Sequence, residues 1–402
     1  MKKFISALAI SAYLALCNTP AIAFVYEPHQ LQEIKKPCAP LQAGMFGGLL
    51  GFNAFTQTVA IIVSVQSFSI TVTTTSNTQT ITAVTPATAS IFYNGQTTND
   101  SYAAGASMDL SAGMVVLTNG TTLTATKNTT GTYTCTVNGF IVDWNPGIVF
   151  SVQRGTVTMT TSTSQTQAIT SITVNQSAVM YCGFNTTYGG AVMSYTWPQI
   201  TITAANQVTA ARGAALNNVT VSYEVTTFQV GILNSPTQQV SGTMTGTSSG
   251  QTGITGVDST YTLTWYGGQS GSFANNDASK RSTCCIDSSV PSGFFNFART
   301  SSTDNVTING TVVELRYWHF KNAVYRSGIS IASGNTTFDD NPPKGIDANT
   351  FFMYLGNTNS AVTTVSNSTL PALSINGNQA RLSRNTSAAN TCQSQYEVAY
   401  PN

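Results

Sequence analysis

Two histidines, His29 and His319, and only fifteen Asp and Glu residues restrict the chemistry open to this 402-residue chain. A Ser-His-Asp or Cys-His nucleophile would have to be built on one of those two imidazoles. His319 falls within Thr311–Lys321, where strand alternation groups it with Val313, Leu315 and Tyr317, the pattern of a packed strand histidine rather than a general base. Asp339, Asp340 and Asp347 could approach a calcium ion, but no DxDxDG spacing accompanies them, and a solvated turn is the better reading. Paired carboxylates of a glycosidase can come from distant positions, but acids are scarce. The expectation is a chain with no catalytic residues, no metal and no cofactor.

One region differs from the rest. Asp277 to Asp347 carries fourteen charged residues in 71 positions, against eight in the 240 positions from Pro37 to Asn276. It also holds Phe294, Phe295, Phe297, Tyr317, Trp318 and Tyr325. Arginine beside aromatic side chains is the composition of binding hot spots, which nominates Arg299, Arg316, Trp318 and Lys321 as a contact face. The plainer alternative is a solubilising face, or packing between neighbouring segments.

The elements that would carry these residues recur along the chain. Ile61 to Gly95 matches Ile148 to Gly183 in apolar positions, hydroxyl positions and a terminal Tyr-x-Gly. A third copy ends at Gly268 and a fainter fourth at Gly356, so Tyr93, Tyr181, Tyr266 and Tyr354 are spaced by 88, 85 and 88 positions. The stretch ending at Cys135 aligns with the one ending at Cys392, including a basic residue before Asn (Lys127, Arg384), and Tyr223-Glu224-Val225 recurs as Tyr396-Glu397-Val398. Four units of about 86 residues follow, at 61–147, 148–232, 233–320 and 321–402. Within them, alternation such as Ser69-Ile70-Thr71-Val72-Thr73 and turn pairs such as Asn-Gly and Gly-Gly predict short strands. The expected fold is all-β, with four tandem sandwich-like repeats. A solenoid is the runner-up, and two repeats interwoven into one larger sandwich is a variant.

Ahead of the repeats, Met1-Lys2-Lys3, the apolar run Phe4 to Leu16 and Ala21-Ile22-Ala23 read as a secretory signal peptide spanning 1–23. Residues 24–60 form an apolar, Gly-rich segment without a counterpart later in the chain. Ala43 to Ala60 is interrupted by glycines, Asn53 and Gln57, so no membrane span is expected. The segment either caps the first repeat or mediates assembly.

Export makes the six cysteines beyond the signal candidates for three disulfides. Cys135 and Cys392 are repeat equivalents with partners at comparable distances upstream, which suggests Cys38–Cys135 and Cys285–Cys392. Cys182 is then left for Cys284, and a Cys135–Cys182 bridge is the main competitor. Charged residues make up 8% of the chain against about 25% in ordinary soluble domains, and no basic stripe exists for nucleic acid. Eleven Asn-x-Ser/Thr sites are close to chance in so polar a chain and argue nothing about glycosylation. The reading is an exported cell-surface or extracellular structural or adhesive protein, a fibre subunit in one version, whose partner is itself or a surface glycan or protein. The alternative is a secreted glycan-binding protein or carbohydrate-active enzyme.

Overall fold

A computed structural model describes residues 24–27, 30–33, 60–99, 112–131, 133–189, 195–272, 284–286, 293–300, 305–359, 371–385 and 391–402. The chain divides into two compact units, residues 1–57 and 58–402. The described part of the first is an antiparallel hairpin of β1 (Phe24–Glu27) and β2 (Gln30–Glu33), in which Phe24 pairs with Glu33. The signal peptide, His29, Cys38 and nearly all of the apolar segment Ala43 to Ala60 lie outside the described residues.

The second unit is built from strands and turns, with short 3-10 turns and no α-helix among the described residues. Each repeat supplies six strands. The first gives β3 (Ile62–Val72), β4 (Ser76–Thr80), β5 (Ala89–Thr98), β6 (Met114–Asn119), β7 (Thr122–Thr126) and β8 (Cys135–Trp144). The second gives β9 (Val149–Met159), β10 (Ser164–Ala168), β11 (Ser177–Thr186), β12 (Gln199–Ala204), β13 (Gln207–Ala211) and β14 (Val219–Phe228). The third gives β15 (Gln238–Thr245), β16 (Ser249–Gly253), β17 (Thr262–Ser272), β18 (Cys284–Ile286), β19 (Phe294–Arg299) and β20 (Asn305–Glu314). The fourth gives β21 (Tyr325–Ile331), β22 (Thr337–Asp340), β23 (Phe351–Asn359), β24 (Ala372–Asn376), β25 (Gln379–Ser383) and β26 (Cys392–Ala399). Alternation decides the edge strands: Phe68, Ile70 and Val72 of β3 are buried while Ser67, Ser69 and Thr71 face water.

These strands assemble into four six-stranded antiparallel sheets, each taking three strands from one repeat and three from the next. The orders are β4-β7-β6-β11-β14-β9, β10-β13-β12-β17-β20-β15 and β16-β19-β18-β23-β26-β21. The fourth, β22-β25-β24-β5-β8-β3, joins the last repeat to the first and closes a four-bladed, propeller-like ring. The all-β, fourfold character matches the expectation, but the repeats do not build self-contained sandwiches. The reason is local: the second, fourth and fifth strands of a repeat hydrogen-bond among themselves and then continue onto the third strand of the following repeat.

The third strands β5, β11, β17 and β23 pack side by side around the axis, the last against the first. In each of them the register slips within the Tyr-x-Gly signature, between Tyr93 and Gln96, Tyr181 and Phe184, Tyr266 and Gln269, and Tyr354 and Asn357. The signature is therefore a β-bulge. Its glycines, Gly95, Gly183, Gly268 and Gly356, have φ of +92°, +87°, +86° and +96°, a region that side chains disfavour. Each glycine also makes the bridge to the preceding repeat, pairing with Ala372, Met114, Gln199 and Cys285 respectively. One dipeptide step thus bends the strand and brings the neighbouring repeat against its backbone.

A second set of links crosses the same junctions. On the sixth strand, Phe140, Glu224, Thr311 and Glu397 occupy equivalent places, each facing the third strand of the repeat before. Glu224 accepts Ile91 N–H at 2.6 Å and Arg154 Nε at 2.6 Å. Glu397 accepts Thr264 N–H at 2.7 Å and Arg326 Nε at 2.9 Å. Thr311 Oγ1 accepts Val179 N–H at 3.4 Å. At the closing junction the pair is apolar, with the Phe140 and Phe352 rings 5.7 Å apart. Burial pushes the Glu224 and Glu397 carboxyls up, and the arginine and the backbone N–H of each pull back.

Candidate functional site

Of the four residues nominated as a contact face, Arg316, Trp318 and Lys321 fall in one connector and Arg299 does not. The connector follows β20, which ends at Glu314, and begins β21 through a 3-10 turn, Tyr317–His319. Arg316 is fastened below it, its Nε donating to Leu233 O at 3.3 Å and its N–H to Ile232 O. Its guanidinium lies 5.0 Å from the Trp318 ring centroid. Tyr317 packs edge-on against Trp318 at 5.1 Å and also meets Tyr261 at 6.3 Å. Trp318 and Tyr317 nevertheless remain 46% and 47% exposed. Lys321 Nζ is 2.5 Å from Asp347 Oδ2 at the surface, a pair that adds little stability. The backbone around the turn is pinned by Asn402, whose N–H donates to His319 O and whose Nδ2 donates to Trp318 O at 2.6 Å.

Arg299 is only 4% exposed, and its Nε donates to Thr247 O at 2.7 Å. It belongs to a fourfold set with Lys127, Arg212 and Arg384, each at the end of the fifth strand of its repeat and each buried. Arg212 shows the arrangement most fully, donating to the carbonyls of Thr160, Ser162, Tyr195, Leu216 and Asn217. Removal from water lowers the pKa of Arg212 and Arg384 from the usual guanidinium value. The basic residue shared by the Cys135 and Cys392 stretches was the available signal that this position ties loops together. Phe295 and Phe297 are likewise core residues, whereas Phe294 is exposed.

His319 is packed, as expected, but in the turn rather than on a strand. Its ring lies 5.9 Å from that of Trp318, and its Nε2 has no hydrogen-bond partner among the described residues. Burial and then the Arg316 charge lower its pKa to about 4. The folded chain thus keeps the imidazole neutral down to about pH 4, whereas the unfolded chain protonates it near 6.5. The stability it contributes is complete above pH 6.5 and is lost as pH falls towards 4. Thermal unfolding from pH 7 to pH 4 should therefore show a loss of about 1–3 kcal/mol that His319→Gln removes, and parallel curves for the two proteins would contradict this.

The cysteines do not form the expected bridges. Cys135, Cys182 and Cys392 are buried thiols. Burial raises the Cys182 pKa well above its ordinary value and those of Cys135 and Cys392 to about 12. Cys135 Sγ lies 3.6 Å from Gln96 Oε1, Cys182 Sγ donates to Met180 O at 3.8 Å and Cys285 Sγ to Ala298 O at 3.8 Å. The equivalence of Cys135 and Cys392 reflects a shared place at the inner start of the sixth strand. Cys38 and the side chain of Cys284 lie outside the described residues.

The acids of the second unit among the described residues are held in structural contacts. Asp339 pairs with both Nε and Nη2 of Arg381 at 2.7 Å, and this pairing holds its carboxyl below the usual range. Asp340 accepts Tyr396 OH at 2.5 Å. Asp143 accepts from Thr85 N–H and Thr88 Oγ1, and Glu314 from Asn234, Ser235 and Asp258. Among the described residues no three His, Cys, Asp or Glu side chains converge to hold a metal ion.

The tyrosines that mark the repeat meet on the ring axis. Tyr93, Tyr181, Tyr266 and Tyr354 follow one another edge-to-face, with centroids 5.6, 5.9 and 6.0 Å apart and interplanar angles of 86°, 83° and 82°. Burial, followed by neighbouring groups, raises the pKa of Tyr93, Tyr181 and Tyr354 well above the ordinary value, so these phenols stay protonated. Tyr93 OH donates to Gln96 Oε1 at 3.2 Å and Tyr354 OH to Asn357 Oδ1 at 2.7 Å. On one side of the tyrosines an aromatic plug of Phe92, Trp144, Phe228, Trp265 and Phe351 fills the axis. Bounded by the tyrosines and the residues that follow them on the third strands is a half-open cavity of about 50 Å³. No helix among the described residues is long and apolar enough to cross a membrane. No family model and no curated protein matches this sequence.

Proposed function

We propose that this is an exported, cell-surface or extracellular structural or adhesive protein with no catalytic role, which attaches to its partner through the Arg316–Lys321 corner. The carrying observation is the exposed Tyr317–Trp318 pair, held over Arg316 by a pinned turn. Aromatic side chains fixed in advance lose little conformational freedom on binding, the property that makes Trp, Tyr and Arg dominant at interfaces. The partner that suits this corner is a protein or glycan surface offering apolar area and an anion or hydroxyl near Arg316. Assembly into a fibre would draw on residues before the ring, because repeat four already pairs with repeat one of its own chain.

Trp318→Ala is expected to change unfolding stability by less than about 1 kcal/mol, since the indole is nearly half exposed, while weakening attachment to cells or matrix at least tenfold. A loss of about 3–5 kcal/mol with attachment unchanged would show that the indole is core and reject the reading. Native gels of the mature protein test the fibre version: a ladder supports it and a single species removes it. The second reading, a secreted glycan-binding or carbohydrate-active protein, is favoured by the axial cavity, and turnover of a bound glycan would move it to the enzyme class.

A further inference from the structure

Gln96 holds its side-chain carbonyl as an acyl group is held for attack. Gly113 N–H donates to Oε1 at 2.7 Å, and the Tyr93 hydroxyl donates to the same oxygen at 3.2 Å. Two donors on one carbonyl oxygen draw electrons from its carbon and stabilise the charge that an attacking group would place on the oxygen. The Cys135 thiol stands 3.6 Å from that oxygen, on the strand paired with β5. A nucleophile, a polarised amide and an oxyanion site thus meet in one cluster, with Gln96 only 4% exposed and Cys135 fully buried.

The other repeats show that the cluster is not required by the fold. Strand register makes Cys135 equivalent to Val219, Val306 and Cys392, and Gln96 equivalent to Phe184, Gln269 and Asn357. The second repeat therefore has neither group, and the third has the amide with a valine in place of the thiol. The fourth keeps a thiol and a shorter amide, but the position of Gly113, one residue before the bridge to a neighbouring repeat, is taken there by Pro371, which has no N–H to donate. Only the first repeat combines all three parts. They are also pressed together, since a Cβ on Gly113 would lie 2.7 Å from Cys135 Sγ and 3.4 Å from Gln96 Oε1.

We propose that Cys135 and Gln96 join in an internal thioester as the protein matures. Sγ attacks Cδ, the Cδ–Nε2 bond breaks, and the nitrogen leaves as ammonia with the thiol proton, so neither oxidant nor reductant is needed. Burial raises the Cys135 pKa to about 12, against the pull of the Lys127 charge, which is why the proton travels with the leaving nitrogen. Sγ rests beside the carbonyl oxygen, and bond formation requires a side-chain rotation that carries it to the adjoining carbon. Exchange of an amide for a thioester is uphill in water, and fixed geometry together with the escape of ammonia drives it. Gln96 also lines the half-open axial cavity, the route by which a small primary amine would reach the same carbon. The C–S bond then breaks, a new amide forms and the thiol is regenerated. This chemistry goes beyond the Trp318 corner and is independent of it.

The test is the intact mass and thiol count of the denatured full-length mature protein, followed by peptide mapping. The expected mass is one ammonia below that of the sequence, with Cys135 resistant to alkylation and its peptide joined to the peptide containing Gln96. Methylamine should release the thiol and leave an N-methylated glutamine at position 96. Cys135→Val, the residue found at this place in two other repeats, and Gln96→Asn should each restore the full mass. Trp318→Ala should leave the loss of ammonia unchanged, so failure of the corner reading and failure of this one are separate results. A parent protein of full mass in which every thiol alkylates overturns the proposal. So does a loss of ammonia that maps to Cys392 and Asn357, or one that links Lys127 to Gln96 and leaves Cys135 free.

Discussion

Gly268→Ala should destabilise the ring by about 3 kcal/mol or more, whereas Gly231→Ala should cost only about 1–2 kcal/mol. The two glycines share a backbone conformation, with φ of +86° and +85°, so the penalty for placing a side chain in the left-handed region is common to both. They differ in surroundings. A Cβ on Gly268 would lie 2.5 Å from the Pro198 carbonyl oxygen and 3.1 Å from Gln199 Cα, both backbone atoms of the preceding repeat. Around Gly231 there is nothing within 4 Å. The difference between the variants therefore measures how closely one repeat is pressed against the next. Urea unfolding of both reads it out, and equal costs would mean that the bulge tolerates a side chain and that the junction is not set by contact.

Glu397→Ala should cost about 3–5 kcal/mol, because it leaves Arg326 with 13% side-chain exposure and no carboxylate at that position. It also orphans the Thr264 N–H and hydroxyl, which donate to the two carboxylate oxygens at 2.7 and 3.0 Å. The closing junction shows that the same place can be filled by an apolar pair, Phe140 against Phe352. The double variant Glu397→Leu/Arg326→Met should accordingly recover most of the loss, to within about 1–2 kcal/mol of the parent. A single substitution costing under about 1 kcal/mol, or a double variant no better than the single, would show that the pair does not hold the junction.

Much of this architecture could be read from the chain because the repeat is written in the residues that make its contacts. The spacing of the four tyrosines marked the fourfold repeat, though not the ring that brings them together, and the recurrence of Tyr-Glu-Val marked the position where Glu224 and Glu397 reach into the neighbouring repeat. What could not be read was pairing between strands. Alternation tells which face of β6 or β12 is buried but not whose edge it meets, and a self-contained sandwich and a shared sheet present the same pattern. The cysteines misled for a related reason. An even number in an exported chain is consistent with bridges, yet buried small thiols such as Cys135 and Cys182 pack as core groups with no signature that separates the two cases. At the candidate site, Arg316 and Trp318 are two positions apart in sequence and could be nominated together. Arg299 looked the same by composition but is held by Thr247, on the turn between β15 and β16. The axial cavity had no advance signal, since its lining comes from all four repeats and only their meeting creates it.

Closure of the ring also sets the order in which the molecule can be completed. Strand β5 has its neighbour β24 in the last repeat, and Tyr354 N–H donates to the Asn94 side chain across 260 positions of sequence. While the chain is being made, the third strand of the first repeat is left with an unsatisfied edge until residues 372–383 have emerged. Contacts of such separation form late and slowly, because the long intervening loop must be closed before they return any energy. A nascent chain of this design therefore stays unfinished, and open to holding factors or to threading through a narrow pore, for most of its synthesis. Completion then comes as a late step, and truncations that remove β24 and β25 should be felt at β5, at the opposite end of the sequence.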